Sequence, residues 1–263
     1  MIVDAALIQF ADRLADASGA VIRPFFRQPI DVAHKHSDQH SFDPVTEADK
    51  GGERAIRAII ERERPDDAIL GEEYGEKSGT SGWRWVLDPV DGTRAFITGR
   101  HEWGSLIALE KDGAPVLGIL DQPVLGERFI GVNGASHLVR GGVRTALKAR
   151  ACASLDLAVL CSTDPSAYMT VPQQVAFTRV KDQARLTRYH GDCYLFAMLA
   201  MGFLDVIVEG PFRRWDVAAL FPLVEGAGGV ITNWQGAPWR DGDPLLACGD
   251  ARVHAQAVAL LNA

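Results

Sequence analysis

The chain has 263 residues, of which 47% are apolar and 23% charged, and its net charge is −7. This is the balance of a globular protein with ample core, in one large domain or two intimate ones. The negative charge argues against a nucleic-acid surface, although an anionic substrate stays open because a bound cation inverts the local field.

Residues 3 to 26 place Ala6, Leu7, Phe10, Leu14, Ala17, Val21, Ile22 and Phe25 at helical spacing, ended near Pro24. Asp4, Asp12 and Asp16 on this pattern do not fit a signal peptide. No apolar run reaches the ~18 residues of a membrane span. No internal repeat is visible. The four cysteines, Cys152, Cys161, Cys193 and Cys248, are widely spaced with no CxxC, which fits buried free thiols in a reducing cytoplasm. The stretch from His34 to His40, with Lys35 and an HxH, reads as a polar loop; a metal site would need a Cys or carboxylate at ligand spacing.

Thr46 is a candidate N-cap, with Asp49 where Glu or Gln completes a capping box, for a helix reaching about Arg64. Ala68-Ile69-Leu70 is a short buried strand that stops at Gly71-Glu72-Glu73. Gly71 to Ser78 nearly spells a phosphate-binding loop, but Glu76 sits where its charge would repel a phosphate. The run Trp85 to Leu87 leads into Asp88-Pro89-Val90-Asp91-Gly92-Thr93. Pro89 disfavours a helical backbone at Asp88, and Asp91-Gly92-Thr93 is turn chemistry, so two carboxylates and two unhindered amides should share the space beyond a strand end. Hard oxygen ligands suit Mg²⁺ and clustered amides suit a phosphate; the plainer reading is an Asp-Pro turn capping the next helix.

A short helix from Thr93 to Thr98 and an antiparallel meander follow, with strands at Ser105–Glu110, Val116–Leu120, Arg128–Gly131 and Ser136–Val139. A seam is expected near 141 to 153. Beyond it, strands at Val159–Cys161, Leu186–Tyr189 and Leu204–Val208 alternate with helices at Val171–Gln183 and Cys193–Met201, which implies a parallel or mixed sheet. Trp215-Asp216-Val217-Ala218 opens a long helix, where an acid in the first turn is favourable on dipole grounds alone. A terminal helix spans Ala251 to Leu261.

Asp49, Glu72, the Asp88–Thr93 segment and Asp216 each lie at an element end, where open α/β sheets bind ligands. Gly-Glu-Glu, Asp-Pro-Val-Asp-Gly-Thr and Trp-Asp-Val-Ala, in this order, resemble the inositol monophosphatase superfamily of Mg²⁺-dependent, Li⁺-sensitive phosphatases, over nearly the whole chain. The resemblance implies a layered α-β-α-β-α sandwich with an antiparallel sheet in the N-terminal half (1–145) and a mixed or parallel sheet in the C-terminal half (146–263). It also implies a cytoplasmic homodimer acting on a small phosphate monoester, with no nucleic-acid or membrane partner. In that layout Glu72, Asp88 and the Val90 carbonyl hold one Mg²⁺, Asp88, Asp91 and Asp216 a second, and Glu72 with waters a weaker third. Asp49 pairs with Thr93 to orient and deprotonate the attacking water, and the Gly92 and Thr93 amides grip the phosphate. Val90 stands where the family has Ile, a harmless change because the carbonyl is what is used.

Other phosphatase chemistries fail on spacing: the acids are three apart, unlike Asp-x-Asp-x-Thr, no Cys has an Arg six residues on, and Arg-His-Gly is absent. For the substrate, Gly191-Asp192-Cys193-Tyr194 and Asp-Gly-Thr-Arg, with its Arg94, resemble the histidinol-phosphate phosphatase branch, which serves histidine biosynthesis. Asp192 and Glu209 would then bind the cationic substrate, unless Asp192 only favours a helix N-terminus or Arg213 and Arg214 neutralise Glu209. A broad sugar- or inositol-phosphate phosphatase is the second reading. A non-catalytic binding member is the third, and the complete acid set argues against it.

Overall fold

The N-terminal pattern folds as its spacing predicts. Asp4 accepts from the Leu7 N–H at 2.8 Å and caps α1 (Ala5–Ile22), and Pro24 closes it in one 3-10 turn, Arg23–Phe25. The computed structural model describes residues 2–34 and 44–263, so Lys35, His36 and the rest of the polar stretch to His40 lie outside the described residues. Two short strands, β1 (Ala33–His34) and β2 (Pro44–Val45), pair antiparallel. Thr46 caps α2 (Glu47–Glu63), and Asp49 reaches back to the Thr46 N–H at 2.9 Å, completing the capping box with Asp in place of Glu.

The first large sheet follows: β3 (Ala68–Gly71), β4 (Gly75–Lys77), β5 (Trp83–Asp91), then α3 (Thr93–Ile97), then β6 (Gly104–Lys111), β7 (Ala114–Gln122), β8 (Glu127–Val132), β9 (Ala135–Arg140) and β10 (Val143–Ala146). Its eight strands lie in the order β10-β9-β8-β7-β6-β5-β3-β4. The meander is as read from its turn residues. Two features differ from the expected antiparallel sheet and seam. β3 and β5 run parallel, because β4 folds back on the outer side of β3 and the chain then crosses to β3's inner side. Part of the expected seam is β10, joined to β9 by Gly141 and Gly142 at φ 57° and 78°, a turn with both central residues left-handed.

The second sheet comprises β11 (Val159–Ser162), β12 (Leu186–Tyr189), β13 (Val206–Pro211), β14 (Val230–Asn233) and β15 (Pro244–Cys248) in the order β12-β11-β13-β15-β14. β11 is parallel to both its neighbours and β15 antiparallel to both of its own, so the sheet is mixed, as the strand–helix alternation implied. Between these strands run α4 (Pro165–Tyr168), α5 (Val171–Lys181), α6 (Tyr194–Ala200), α7 (Arg214–Val217) and α8 (Leu220–Gly226), and α9 (Ala251–Leu261) closes the chain. The long helix expected from Trp215 is therefore two. Pro222 has no N–H to donate to the Ala218 carbonyl, so the helix stops and restarts with Pro222 in the first turn of α8.

Three apolar clusters stack these elements in five layers. Leu14, Ile56 and Ile60 of α1 and α2 pack on Trp85, Leu87 and Ile107 at one face of the first sheet. α6 and α8 fill the space between the sheets, touching Leu106, Leu120 and Phe129 on one side and Ile207, Leu245 and Ala247 on the other. α5 and α9 cover the far face of the second sheet through Phe177, Val180 and Val253. Each such fully buried side chain contributes about 1.5–3 kcal/mol. The middle layer comes close because the sheet offers glycines: a Cβ on Gly118 would lie 2.0 Å from the Ala219 carbonyl oxygen. All four cysteines are buried and free. Among the described residues no helix is long and apolar enough to cross a membrane.

Candidate active site

β5 does not end at Asp88 but runs on to Asp91 through a bulge. Asp88 pairs with Leu106 and Asp91 with Gly104, so three steps on β5 oppose two on β6. Side chains three apart on a regular strand point to opposite faces. The extra residue restores them to one side. Ser105 fixes the bulge by donating to the Pro89 carbonyl at 2.6 Å, and Asp88 accepts from the Val90 N–H at 3.0 Å. Gly92 then turns the chain at φ 89°, and no larger residue fits: a Cβ would meet the Glu102 carbonyl oxygen at 2.9 Å and the Asp192 Cβ at 3.0 Å.

α7 lies against β5 and delivers Asp216, whose carboxylate accepts from the Arg213 N–H at 2.7 Å. Asp88, Asp91 and Asp216 each offer an oxygen, and the three lie within 4.8 Å of one another. Glu72 shares a side-chain hydrogen bond with Asp88. Burial first, and then Glu72, Asp91 and Asp216, push the Asp88 carboxyl well above its ordinary range. Burial raises Asp91 to about 6 against the bond it accepts from the Cys193 N–H at 2.7 Å. Crowded, desolvated carboxylates of this kind need a counter-charge, and an all-oxygen set fits a hard divalent cation.

Beside this cluster sits the second half of the site. One oxygen of Asp49 is held by the Thr46 N–H and by its hydroxyl at 2.6 Å; the other accepts from Thr93 Oγ1 at 3.2 Å. Asp49 is 1% exposed, so this pair is locked. Thr93 Oγ1 also lies 3.1 Å from the Val90 carbonyl oxygen.

Asp192 comes from the connection between β12 and α6. His190, Gly191 and Asp192 have φ of 69°, 135° and 45°, three left-handed residues in succession. Non-glycine residues hold such angles only where their surroundings impose them, and such strain gathers at functional sites. Burial, then Asp91, Glu209 and Glu102, raise the Asp192 carboxyl well above its usual range, opposed by Arg100. Glu209 is deeper. It is buried on β13 and accepts from the Thr163 N–H at 2.7 Å, the Thr163 hydroxyl at 2.9 Å and the Ser162 hydroxyl at 3.3 Å. Arg213 and Arg214 do not neutralise it: the first pairs with Asp241 and the second with Glu110. Arg94 lies over the Tyr168 ring at 4.9 Å, joining α3 to α4.

Two contributors escaped the sequence reading. The Cys193 N–H orients Asp91, a backbone role that no residue type advertises. Glu53, one turn after Asp49 on the buried face of α2, accepts from the N–H groups beside Glu72; the four-residue spacing from Asp49 was its available signal.

Comparison with known proteins gives the family. A model of the inositol monophosphatase family matches residues 4–262. The chain is 40% identical to the chloroplastic bifunctional phosphatase IMPL2 of Arabidopsis thaliana, over 98% of this chain and 77% of that one. It is 34% identical to a histidinol-phosphatase of Chlorobaculum parvum, over 93% of this chain and 92% of that one. A solved structure of an inositol monophosphatase from Zymomonas mobilis superposes with a TM-score of 0.87 at 40% identity, covering 99% of this chain and all of that one. The chain belongs to the inositol monophosphatase family and is a phosphatase of that family.

Proposed function

We propose that this phosphatase hydrolyses L-histidinol phosphate to L-histidinol and phosphate, with Mg²⁺, by direct attack of water, as a cytoplasmic homodimer in histidine biosynthesis. The observation that carries the substrate is Asp192: a desolvated carboxylate beside Asp91, presented by the second half of the chain toward the acids of the first. A substrate with an ammonium group matches such an acid, whereas a neutral polyol needs hydroxyl partners. Histidinol-phosphatases at 32–34% identity support the same reading.

Glu72, Asp88, the Val90 carbonyl, Asp91 and Asp216 would hold two to three Mg²⁺. When bound, the ions neutralise the ester's charge and make water a better nucleophile at neutral pH. Asp49, with one oxygen tied to Thr46, keeps the other for Thr93. A hydroxyl donates one proton at a time, so if the Val90 carbonyl holds a metal ion the Thr93 proton would go to Asp49. Thr93 Oγ1 is then left as an acceptor for the water's proton. The Gly92 and Thr93 amides hold the phosphate at the start of α3. Asp192 binds the amine, and Glu209, raised to about 7 by burial, adds negative charge from behind the wall as it ionises. The 1–145 portion would supply most of the metal ligands, and the 146–263 portion Asp216 and the residues that select the substrate.

A second reading, hydrolysis of inositol 1-phosphate, is favoured by the 40% identity to the Zymomonas mobilis inositol monophosphatase. A substrate panel decides between them. EDTA-treated protein is expected to be inactive and Mg²⁺ to restore it, with kcat/KM for histidinol phosphate above that for inositol 1-phosphate. The reverse ranking returns the chain to the inositol-phosphate reading, and full turnover without metal removes the mechanism.

A further inference from the structure

The turn that carries Glu72 is short, and little in its own sequence holds it. Its grip comes from α2. Glu53 is fully buried, and its two oxygens accept from the Glu73 N–H at 2.8 Å and the Tyr74 N–H at 3.2 Å. Arg57, one helical turn on, donates to Glu53 at 2.6 Å and also to the Gly75 carbonyl. Arg54 donates to the Tyr74 hydroxyl at 2.6 Å. On the other side, the Glu72 N–H is tied to the Leu87 carbonyl at 3.1 Å, one residue before Asp88. The turn thus hangs between β5 and the buried Glu53 carboxylate.

The space is cut for that carboxylate. A Cβ on Gly71 would lie 2.0 Å from Glu53 Oε1, so only glycine lets the group reach the two amides. α2 itself presses on the bulge, since a Cβ on Gly52 would come within 3.0 Å of the Pro89 Cβ. Asp49 and Glu53 stand on one face of α2, one turn apart. The same helix face therefore orients Thr93 through Asp49 and the Glu72 turn through Glu53.

We propose that Glu53 is a positioning residue for the metal centre: it fixes the Gly71–Tyr74 turn so that Glu72 meets Asp88 with its carboxylate already oriented, and the Glu53–Arg57 pair thereby sets the affinity for Mg²⁺. A carboxylate suits this task because both oxygens accept at once. Glutamine keeps the shape but turns an NH₂ toward an N–H. The proposal rests on the Mg²⁺-phosphatase reading above, but it concerns metal binding and not the choice of ester.

Titration calorimetry of Mg²⁺ into the metal-free full-length protein is the test, followed by turnover of p-nitrophenyl phosphate against Mg²⁺ concentration. Glu53→Gln is expected to bind Mg²⁺ about 10- to 100-fold more weakly, the usual effect of losing a partner that orients a ligand. Its kcat should recover at saturating Mg²⁺. Arg57→Gln, which keeps Glu53 but removes its counter-ion and the tie to Gly75, should show a smaller shift in the same direction. Ile56→Val is the control. It sits on the same buried helix face, and is expected to lower Tm without moving the Mg²⁺ titration. Wild-type affinity in both Glu53→Gln and Arg57→Gln, or an equal shift in Ile56→Val, overturns the proposal. A wild-type protein that binds no Mg²⁺ is a distinct result: it removes the phosphatase mechanism itself, and with it the ligand that Glu53 would orient.

Discussion

The end of β5 and the connection between β12 and α6 both present acids to the same space, but they are built in opposite ways. At β5 an extra residue in an otherwise regular ladder gathers Asp88 and Asp91, and every neighbouring group is tied: Ser105 to the Pro89 carbonyl, Val90 to Asp88, Cys193 to Asp91. At the other end Asp192 stands on three successive left-handed residues, outside any strand or helix. The first arrangement crowds carboxylates whose oxygens lie within 4.8 Å of one another, a set suited to a divalent cation. The second holds Asp192 beside Asp91, with Glu209 and Glu102 near enough to raise its carboxyl further. Crowding suits chemistry on a phosphate, and a desolvated acid set apart from the cluster suits selection of what the phosphate is attached to.

Four substitutions test that division. Asp88→Asn strikes the crowded end, and should lower kcat/KM on the order of 10³-fold for every ester, because a shared ligand supports several kcal/mol of charge stabilisation. An unchanged circular dichroism spectrum would show that the fold survives, and near-normal turnover would break the comparison at once. Thr93→Ala should cut kcat on the order of 10²-fold with little change in KM, the loss of assisted proton transfer. If KM rises instead with kcat kept, Thr93 binds the ester and does not help the water.

Asp192→Asn addresses the other end. Its predicted effect is confined to substrate choice, with about 10- to 100-fold off kcat/KM for histidinol phosphate, the range of a charge-assisted hydrogen bond. p-Nitrophenyl phosphate should be almost unaffected. Equal losses on both esters would merge the two regions into one. Glu209→Gln gives the smallest effect and reads stability. Burial raises the Glu209 carboxyl from its ordinary 4.5 to about 7, against the bonds from Thr163 and Ser162. A raised folded-state pKa contributes stability that is complete below about pH 4.5 and lost as pH climbs to about 7. The variant, which has no proton to lose, should gain on the wild type across that window at up to about 1.4 kcal/mol per pH unit, the slope for one proton. Parallel denaturation midpoints from pH 4.5 to 7 would contradict it.

Much of the fold could be read from residues. The Thr46–Asp49 capping box, the hairpin turns of the meander and the closing helix from Ala251 to Leu261 all depend on local chemistry, and each formed where that chemistry put it. The bulge could not be read, because it is a relation between β5 and β6 and only the pairing reveals the count of three against two. The parallel pairing of β3 with β5 depends likewise on where β4 folds. Pro222 did carry a signal for the break between α7 and α8, but the apolar positions around it, Leu220, Phe221 and Val224, match an uninterrupted helix and outvote one missing N–H. At the site, residue type exposed the acids and not the groups that aim them. Glu53 and the Cys193 N–H matter through the atoms they meet, 20 and 102 residues away along the chain.

The left-handed run from His190 to Asp192 has an evolutionary consequence. It lies on the second half of the chain, as do Asp216 and Cys193, while Asp49, Glu72, Asp88 and Asp91 lie on the first. The side chain proposed to recognise the leaving group can therefore mutate while the proposed metal ligands are kept, provided the Cys193 N–H stays on Asp91. A lineage built this way can trade one phosphate ester for another in a few steps, passing through intermediates that still cleave something.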